Sequence, residues 1–194
     1  MRTRLSAEDR RRQLVAAAEA MLLKQGYMPI PSDQLAKSVG VSKALVYAYF
    51  STQEELFSLA LEERLRELTQ RLDRPMRQGG KLKAAAVELA DGYFAQIAEI
   101  GPVVNFILRD PMMAKGLSSA ARQLRDALVR PLASRLRREF KLTANEAIVA
   151  FSLIATIPEE AGGLVWRGEL TREDGRDLCR RLIISSIGGL GRRR

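Results

Sequence analysis

The 194-residue chain contains no histidine. That removes the side chain most used for acid–base chemistry near neutral pH and the commonest transition-metal ligand. Cys179 is the only cysteine, so no intramolecular disulfide can form. Such sparing use of cysteine fits a reducing cytoplasm. Prolines number only 7, against abundant Leu, Ala and Arg. Few breakers among good helix formers favour helix. No uninterrupted apolar run approaches the roughly 18–20 residues that cross a bilayer. The charged N-terminus lacks the apolar centre of a signal peptide. Neither a membrane span nor export is expected. No glycine-rich phosphate loop follows a strand pattern. Glu173-Asp174 reads better as negative charge at a helix N-terminus than as a catalytic carboxylate pair. An enzyme is therefore a poor fit, and no metal or cofactor is expected.

What is present is a basic, apolar-rich chain. Hydrophobic residues make up 46% and the net charge is +9. A basic excess suits an anionic partner. Residues 1–50 hold 8 Lys/Arg and 4 Asp/Glu, a net +4, which leaves +5 for the other 144. The excess is denser at the N-terminal end without being confined to it.

The fold class expected is all-α, with about nine helices and no convincing strand. Ser6 and Asp9 cap a first helix, which carries Leu14, Ala17, Ala18, Met21 and Leu22 and stops at Gly26. Short helices follow at 32–39 and 42–49. Ser51 with Glu54 forms a capping box for a helix reaching about residue 72. Asp73-Arg74-Pro75 and Gly79-Gly80 read as a linker. Beyond it, helices are expected at 81–100 and 102–108, after the break at Gly101-Pro102. Another spans 118–140, after the break at Asp110-Pro111, with a kink at Pro131. Thr143 with Glu146 opens an Ala- and Ile-rich helix that Pro158 and Gly162-Gly163 should kink or divide. Thr171 with Asp174 opens the last helix. Arg192-Arg193-Arg194 reads as a solvated basic tail.

Residues 31–50 are the most informative stretch. They read as two short helices joined at Gly40, where a left-handed backbone is available without a Cβ clash. Ser42 can cap the second helix. Leu35, Ala36, Leu45 and Val46 face inward; Lys43, Ala44, Tyr47 and Ala48 face away. A projecting helix that starts with small and basic residues fits the DNA major groove.

Over residues 12–60 the chain resembles the TetR family of bacterial transcriptional regulators. The resemblance rests on the helix 13–24, Gly26-Tyr27, Leu35-Ala36 and Val39-Gly40-Val41-Ser42-Lys43. It continues through Leu45-Val46-Tyr47-Ala48-Tyr49-Phe50 and Glu54-Glu55-Leu56. Three positions depart from the family pattern: Ala48 where His is frequent, Ser51 where Pro is frequent, and Gln53 where Lys is frequent. Gln53 lacks the cation that could meet a phosphate. The resemblance implies an N-terminal three-helix helix-turn-helix domain, residues 1–50. A helical effector-binding and dimerisation domain, 51–194, follows, with 51–72 as connecting helix.

The DNA-contacting residues expected are Ser42, Lys43, Ala44, Tyr47, Tyr49, Thr52 and Gln53. Lys43 can neutralise a phosphate or donate to guanine. Tyr47 can meet a phosphate or a thymine methyl. The alternative is that Tyr47 and Tyr49 pack beneath the helix. Thr52 and Gln53 open a helix whose free amides can bind phosphate. Tyr93, Phe94, Phe106, Met112, Met113, Phe151 and Trp166 could line a pocket for an apolar or amphipathic effector, with Arg109 and Glu159 as polar anchors. Plain core packing is the competing reading for each. Ala147, Ile148, Phe151, Ile154 and Ala155, with Leu178, Leu182, Ile183 and Ile187, give the last two helices more apolar surface than a monomer would expose. Small Ser185 and Ser186 would allow close approach. A homodimer is expected.

The function expected is a cytoplasmic, ligand-responsive TetR-like regulator. It would be a repressor, as is usual in that family, and would bind a pseudo-palindromic operator in double-stranded DNA as a dimer, with no membrane partner. The alternative is a DNA-binding regulator or assembly factor without a small-molecule ligand, controlled by a protein partner.

Overall fold

The computed structural model describes residues 5–77 and 81–191, with side chains for 5–70 and 81–191. The basic tail and Gly79-Gly80 lie outside these. The described residues form ten α-helices and no strand. In order they are α1 (Ala7–Gln25), α2 (Ser32–Val39), α3 (Lys43–Tyr49), α4 (Gln53–Arg77), α5 (Leu82–Ile100), α6 (Val103–Arg109), α7 (Pro111–Gly116), α8 (Ser119–Phe140), α9 (Ala144–Trp166) and α10 (Arg172–Leu190).

Side-chain caps account for many of the starts. The Ser6 hydroxyl accepts from the Asp9 amide, and Thr171 accepts from Asp174. Thr143 and Glu146 form a complete reciprocal box, which satisfies two orphan donors at once. The cap of α4 falls one residue later than expected. Thr52 Oγ1 accepts from the Glu55 amide at 3.2 Å, and Glu55 Oε2 accepts from the Ser51 amide at 2.9 Å. Glu54 is thereby released from capping.

Three other expectations are corrected. Residues 73–75 are helical, not a linker, since α4 runs to Arg77. The torsion proline imposes is itself a helical one, so proline weakens a helix without forbidding it. Likewise α9 is not divided at Pro158 or Gly162-Gly163. The tenth helix is α7, which starts with Asp110 as N-cap and Pro111 in the first turn. Asp110-Pro111 is thus a start signal as much as a break. Although polar residues interrupt it, α9 has the length and composition of a bilayer-crossing helix, with a mean hydropathy of 1.5 over 18 residues. Its Ala147, Ala150, Pro158 and Ala161 are buried within the helical packing.

The helices gather into two compact units. The first comprises Met1–Arg64 and Val103–Arg122, the second Leu65–Pro102 and Gln123–Arg194.

In the first unit Leu14, Leu22, Ile30, Phe57, Leu61, Ile107 and Met113 are fully buried. Directional bonds tie this core together. Arg64 grips the buried Glu19 carboxylate through two nitrogens, joining α4 to α1. One stripe of α4 meets the α7–α8 turn at three points, spaced four residues apart. A Cβ on Gly116 would press into the Glu54 side chain, which a larger residue would force aside. Ser58 Oγ donates to the Gly116 carbonyl at 3.4 Å and accepts from the Ser118 amide at 3.1 Å. Ser118 Oγ donates to Glu62 at 2.6 Å.

The second unit is built on α5, α9 and α10. Its core gathers Leu82, Ala86, Ala90, Phe94, Leu136, Cys179, Ile183 and Ile187. Gly162 lets α9 approach α5 closely. A Cβ there would lie 2.8 Å from Ile97 Cβ and 3.0 Å from the Phe94 carbonyl. Gly162, expected to help kink or divide α9, instead belongs to its packing face.

Candidate nucleic-acid interface

The turn between α2 and α3 forms as expected. Gly40 takes a left-handed φ of 70°, and the Val41 amide donates back to the Ala36 carbonyl at 3.0 Å. Ser42 caps α3 by accepting from the Leu45 amide at 3.2 Å. Leu35, Ala36, Val39 and Val46 are buried and fix the angle of the two helices. Phe50 is buried beneath the Arg11 guanidinium, 4.8 Å from its ring centroid. Leu45, expected inside, is exposed. A seven-residue helix has room for a narrow buried stripe only, and Val46 with the terminal Phe50 fills it.

The opposite face is open. Ser42, Lys43, Ala44, Tyr47 and Ala48 are exposed, while Tyr49 is half-buried. Lys43 Nζ lies 3.1 Å from Asp33 Oδ1 of α2. That hydrogen bond, reinforced by charge attraction, holds the Lys43 ammonium above the usual lysine range. Tyr47 Oη donates to Ser32 Oγ at 3.4 Å. A cleft of about 250 Å³ runs here, lined in part by Ser32, Tyr47, Ser51, Thr52 and Gln53. The first-turn amides of Gln53 and Glu54 have no intrahelical acceptor, which suits an anion at this end of α4.

Gln53 has a second role that the sequence did not disclose. Its side-chain oxygen accepts from the Ile30 amide at 2.8 Å, and its nitrogen donates to the Ile30 carbonyl at 2.6 Å. The amide thus mimics a strand partner and pins the segment before α2 onto α4. Any phosphate contact at Gln53 is left to its backbone. Ser32 and Asp33 also went unnoticed, because a Ser-Asp pair opening a helix looks like ordinary N-terminal chemistry. Only the spatial pairing with α3 distinguishes it.

The expected effector residues fall in both units. In the first unit Met113 is fully buried, Phe106 and Met112 are half-buried, and Arg109 is exposed. In the second, Phe94 is core, Phe151 packs against that core, and Trp166 is exposed near the end of α9. Tyr93 Oη donates to Glu159 Oε1 at 3.1 Å, joining α5 to α9.

The second unit also has an open apolar face. Of the residues expected there, Ala147, Ile183 and Ile187 are buried within the unit, and Ile148, Leu178 and Leu182 are exposed. Val149, Leu153 and Ile184 are exposed as well. An open groove of about 610 Å³ between α9 and α10 is lined by Val149, Leu153, Ile154 and Ile157 with Ser186 and Gly189.

Among the described residues the fold is all-helical, and this turn with its exposed second helix forms a helix-turn-helix. Residues 14–60 match the family model described as bacterial regulatory proteins, tetR family. The HTH-type transcriptional activator FasR of Mycolicibacterium smegmatis is 26% identical over 164 residues, 81% of this chain and 73% of that protein. The fold is that of a TetR-like transcriptional regulator from Rhodococcus sp. RHA1, with a TM-score of 0.70 at 19% identity, covering 96% of this chain and 100% of that one. It is also that of FadR from Bacillus subtilis in complex with stearoyl-CoA, with a TM-score of 0.68 at 16% identity, covering 92% and 98%. Residues 14–60 thus match the tetR-family helix-turn-helix model, and the fold of the described residues is that of TetR-like regulators.

Proposed function

We propose that the protein is a homodimeric, ligand-responsive, cytoplasmic regulator that reads a pseudo-palindromic operator, one α3 per half-site. Residues 1–50 would serve as the reading domain and 51–194 as the effector and dimerisation domain. The observation that carries this reading is the division of α3 into a buried side, Val46 and Phe50, and an exposed side, Ser42, Lys43, Ala44 and Tyr47. A helix held this way can enter a major groove without disturbing its own core. Two-fold protein symmetry would then impose operator symmetry. The apolar faces of α9 and α10 would supply the dimer contact as a four-helix interface.

Switching is proposed to run through α4. This helix follows α3 directly, and its Glu54, Ser58 and Glu62 stripe is fastened to residues 116–118. A shift of that turn would move α4 and change the spacing of the two reading helices. Tenfold loss of operator affinity needs about 1.4 kcal/mol of coupling. The effector class proposed is apolar or amphipathic, supported by the half-buried aromatic and methionine side chains and by FadR's stearoyl-CoA complex. Tyr93 and Glu159 are proposed as its polar contact. Repression is the proposed sign; FasR is by name an activator, so a promoter–reporter assay decides that point.

The test is selection of duplexes from a random pool by the full-length protein. The reading expects an inverted repeat, and a Lys43→Ala, Tyr47→Ala variant that binds it at least tenfold more weakly with an unchanged melting temperature. A selected sequence without symmetry, or undiminished binding by the variant, would overturn it.

A further inference from the structure

Between Pro31 and Phe50 the only charged residues are Asp33, Lys37 and Lys43. The reading segment is therefore poor in charge, and its one anion stands against one of its two cations. Asp33 Oδ1 lies 3.1 Å from Lys43 Nζ. The neighbouring Ser32 accepts from Tyr47 Oη at 3.4 Å. Lys43 and Tyr47 are four residues apart, so they lie one above the other on one face of α3. Adjacent residues of a single turn of α2 thus hold both of the longest side chains on that exposed face.

We propose that Asp33 is a specificity-determining residue: it positions Lys43 and withholds its charge from phosphate, lowering affinity for DNA at large more than affinity for the operator. The proposal rests on the DNA-binding reading above. A lysine is a flexible point charge and attaches to any phosphate in reach. Non-specific binding is almost wholly such pairing, and each cation so used steepens the salt dependence. With Asp33 in place, a random duplex must either break the pair or bring its phosphates towards a carboxylate. An operator offers base contacts to Ser42, Ala44 and Tyr47 that offset this loss; a random duplex does not. Ser32 acts on Tyr47 in a milder way, by fixing where its phenol points.

The experiment uses the full-length protein, the duplex it selects and a random duplex of the same length. Binding is measured across a salt series for the parent, Asp33→Asn, Asp33→Glu, Lys43→Ala and the double variant Asp33→Asn, Lys43→Ala. Asp33→Asn should bind the random duplex about two- to fivefold more tightly, with a salt slope steeper by about 0.9 per subunit. Its preference for the operator should fall by a similar factor, while its melting temperature stays put. Asp33→Glu should behave like the parent. In the Lys43→Ala background, Asp33→Asn should change nothing, the mark of coupling between the two residues. Unchanged random binding by Asp33→Asn would overturn the proposal. So would an equal gain in the Lys43→Ala background, since Asp33 would then act by general charge alone. A selective loss of operator affinity would overturn it in favour of a direct contact from Asp33 to cytosine. Should the parent select no duplex at all, the DNA-binding reading itself fails, and this proposal falls with it.

Discussion

The two compact units share an apolar interior and differ in the surfaces they expose. In the first, long-range side-chain bonds cross between segments: Arg64 on Glu19, Gln53 on Ile30, and Ser118 with Ser58 and Glu62. In the second, Tyr93 on Glu159 and Arg180 near Asp91 flank an apolar core, with Phe94, Leu136, Ile183 and Ile187 fully buried and Gly162 pressed against α5. Hydrogen bonds have preferred directions and dispersion does not. A unit that must present side chains at a fixed angle gains from directional bonds. A unit that must enclose or associate gains from close apolar packing, and α9 and α10 remain apolar on their outer sides too. The first unit has an apolar core as well, with Leu14, Leu22, Phe57, Leu61 and Ile107 fully buried, so the two units differ most in what they expose: a polar side on α3 and apolar sides on α9 and α10.

This contrast can be broken most forcefully at Glu19. Glu19→Ala removes the buried carboxylate that Arg64 grips, and removing one partner of such a pair costs about 3 kcal/mol. Urea unfolding should show that loss. A loss below about 0.5 kcal/mol would make the ion pair incidental to the first unit.

A smaller effect is expected in the second unit from Gly162→Ala. The new methyl group would stand 2.8 Å from Ile97 Cβ and 3.0 Å from the backbone oxygen of Phe94. Overpacking of this kind costs about 1–3 kcal/mol, offset by about 1 kcal/mol from better helix propensity. The net expectation is a destabilisation of about 1 kcal/mol, read by the same unfolding measurement. A stabilised variant would show that α9 and α5 are not in close contact.

The residues themselves show what the sequence could disclose. Local signals were legible: Gly40 at the turn, Ser42 on α3, and the Thr143–Glu146 box are fixed by near neighbours. The exposed and buried sides of α3 followed from them, apart from Leu45; the pairing of Ser32 and Asp33 with α3 did not. Signals that depend on distant partners were not legible. Gln53 looked like the loss of a cation, yet its amide closes on Ile30, 23 residues away. Gly162-Gly163 looked like a break, because a glycine that breaks a helix and one that seats a neighbouring helix have the same sequence. Asp110-Pro111 looked like a break for a similar reason, since a helix start and a helix stop use overlapping chemistry. Phe94, grouped with effector residues, is core; an apolar side chain carries no mark of which interior it fills.

The smallest effect concerns Cys179. Burial, and then the charge of Asp91, push its thiol up to about 11. The native-state pKa is raised, so any contribution is fully present below the unfolded value near 9 and is lost as pH rises through 11. Stability should be indifferent to this group at pH 7 and fall over that alkaline window, and Cys179→Ala should remove that part of the slope. An identical alkaline slope in the variant would place the titration elsewhere.

The central claim is that two separate surfaces, an apolar face in the second unit and a polar one in the first, act together on one operator. It is tested most directly by Leu153→Glu, Leu182→Glu, which alters only exposed side chains of α9 and α10. Light scattering at micromolar concentration and operator binding are measured on the same sample. The account predicts a parent dimer, a monomeric variant, and an operator affinity lower by about 100-fold or more, as two linked half-sites become one. A monomeric variant that binds the operator as tightly as the parent, or a parent that is already a monomer, would contradict it.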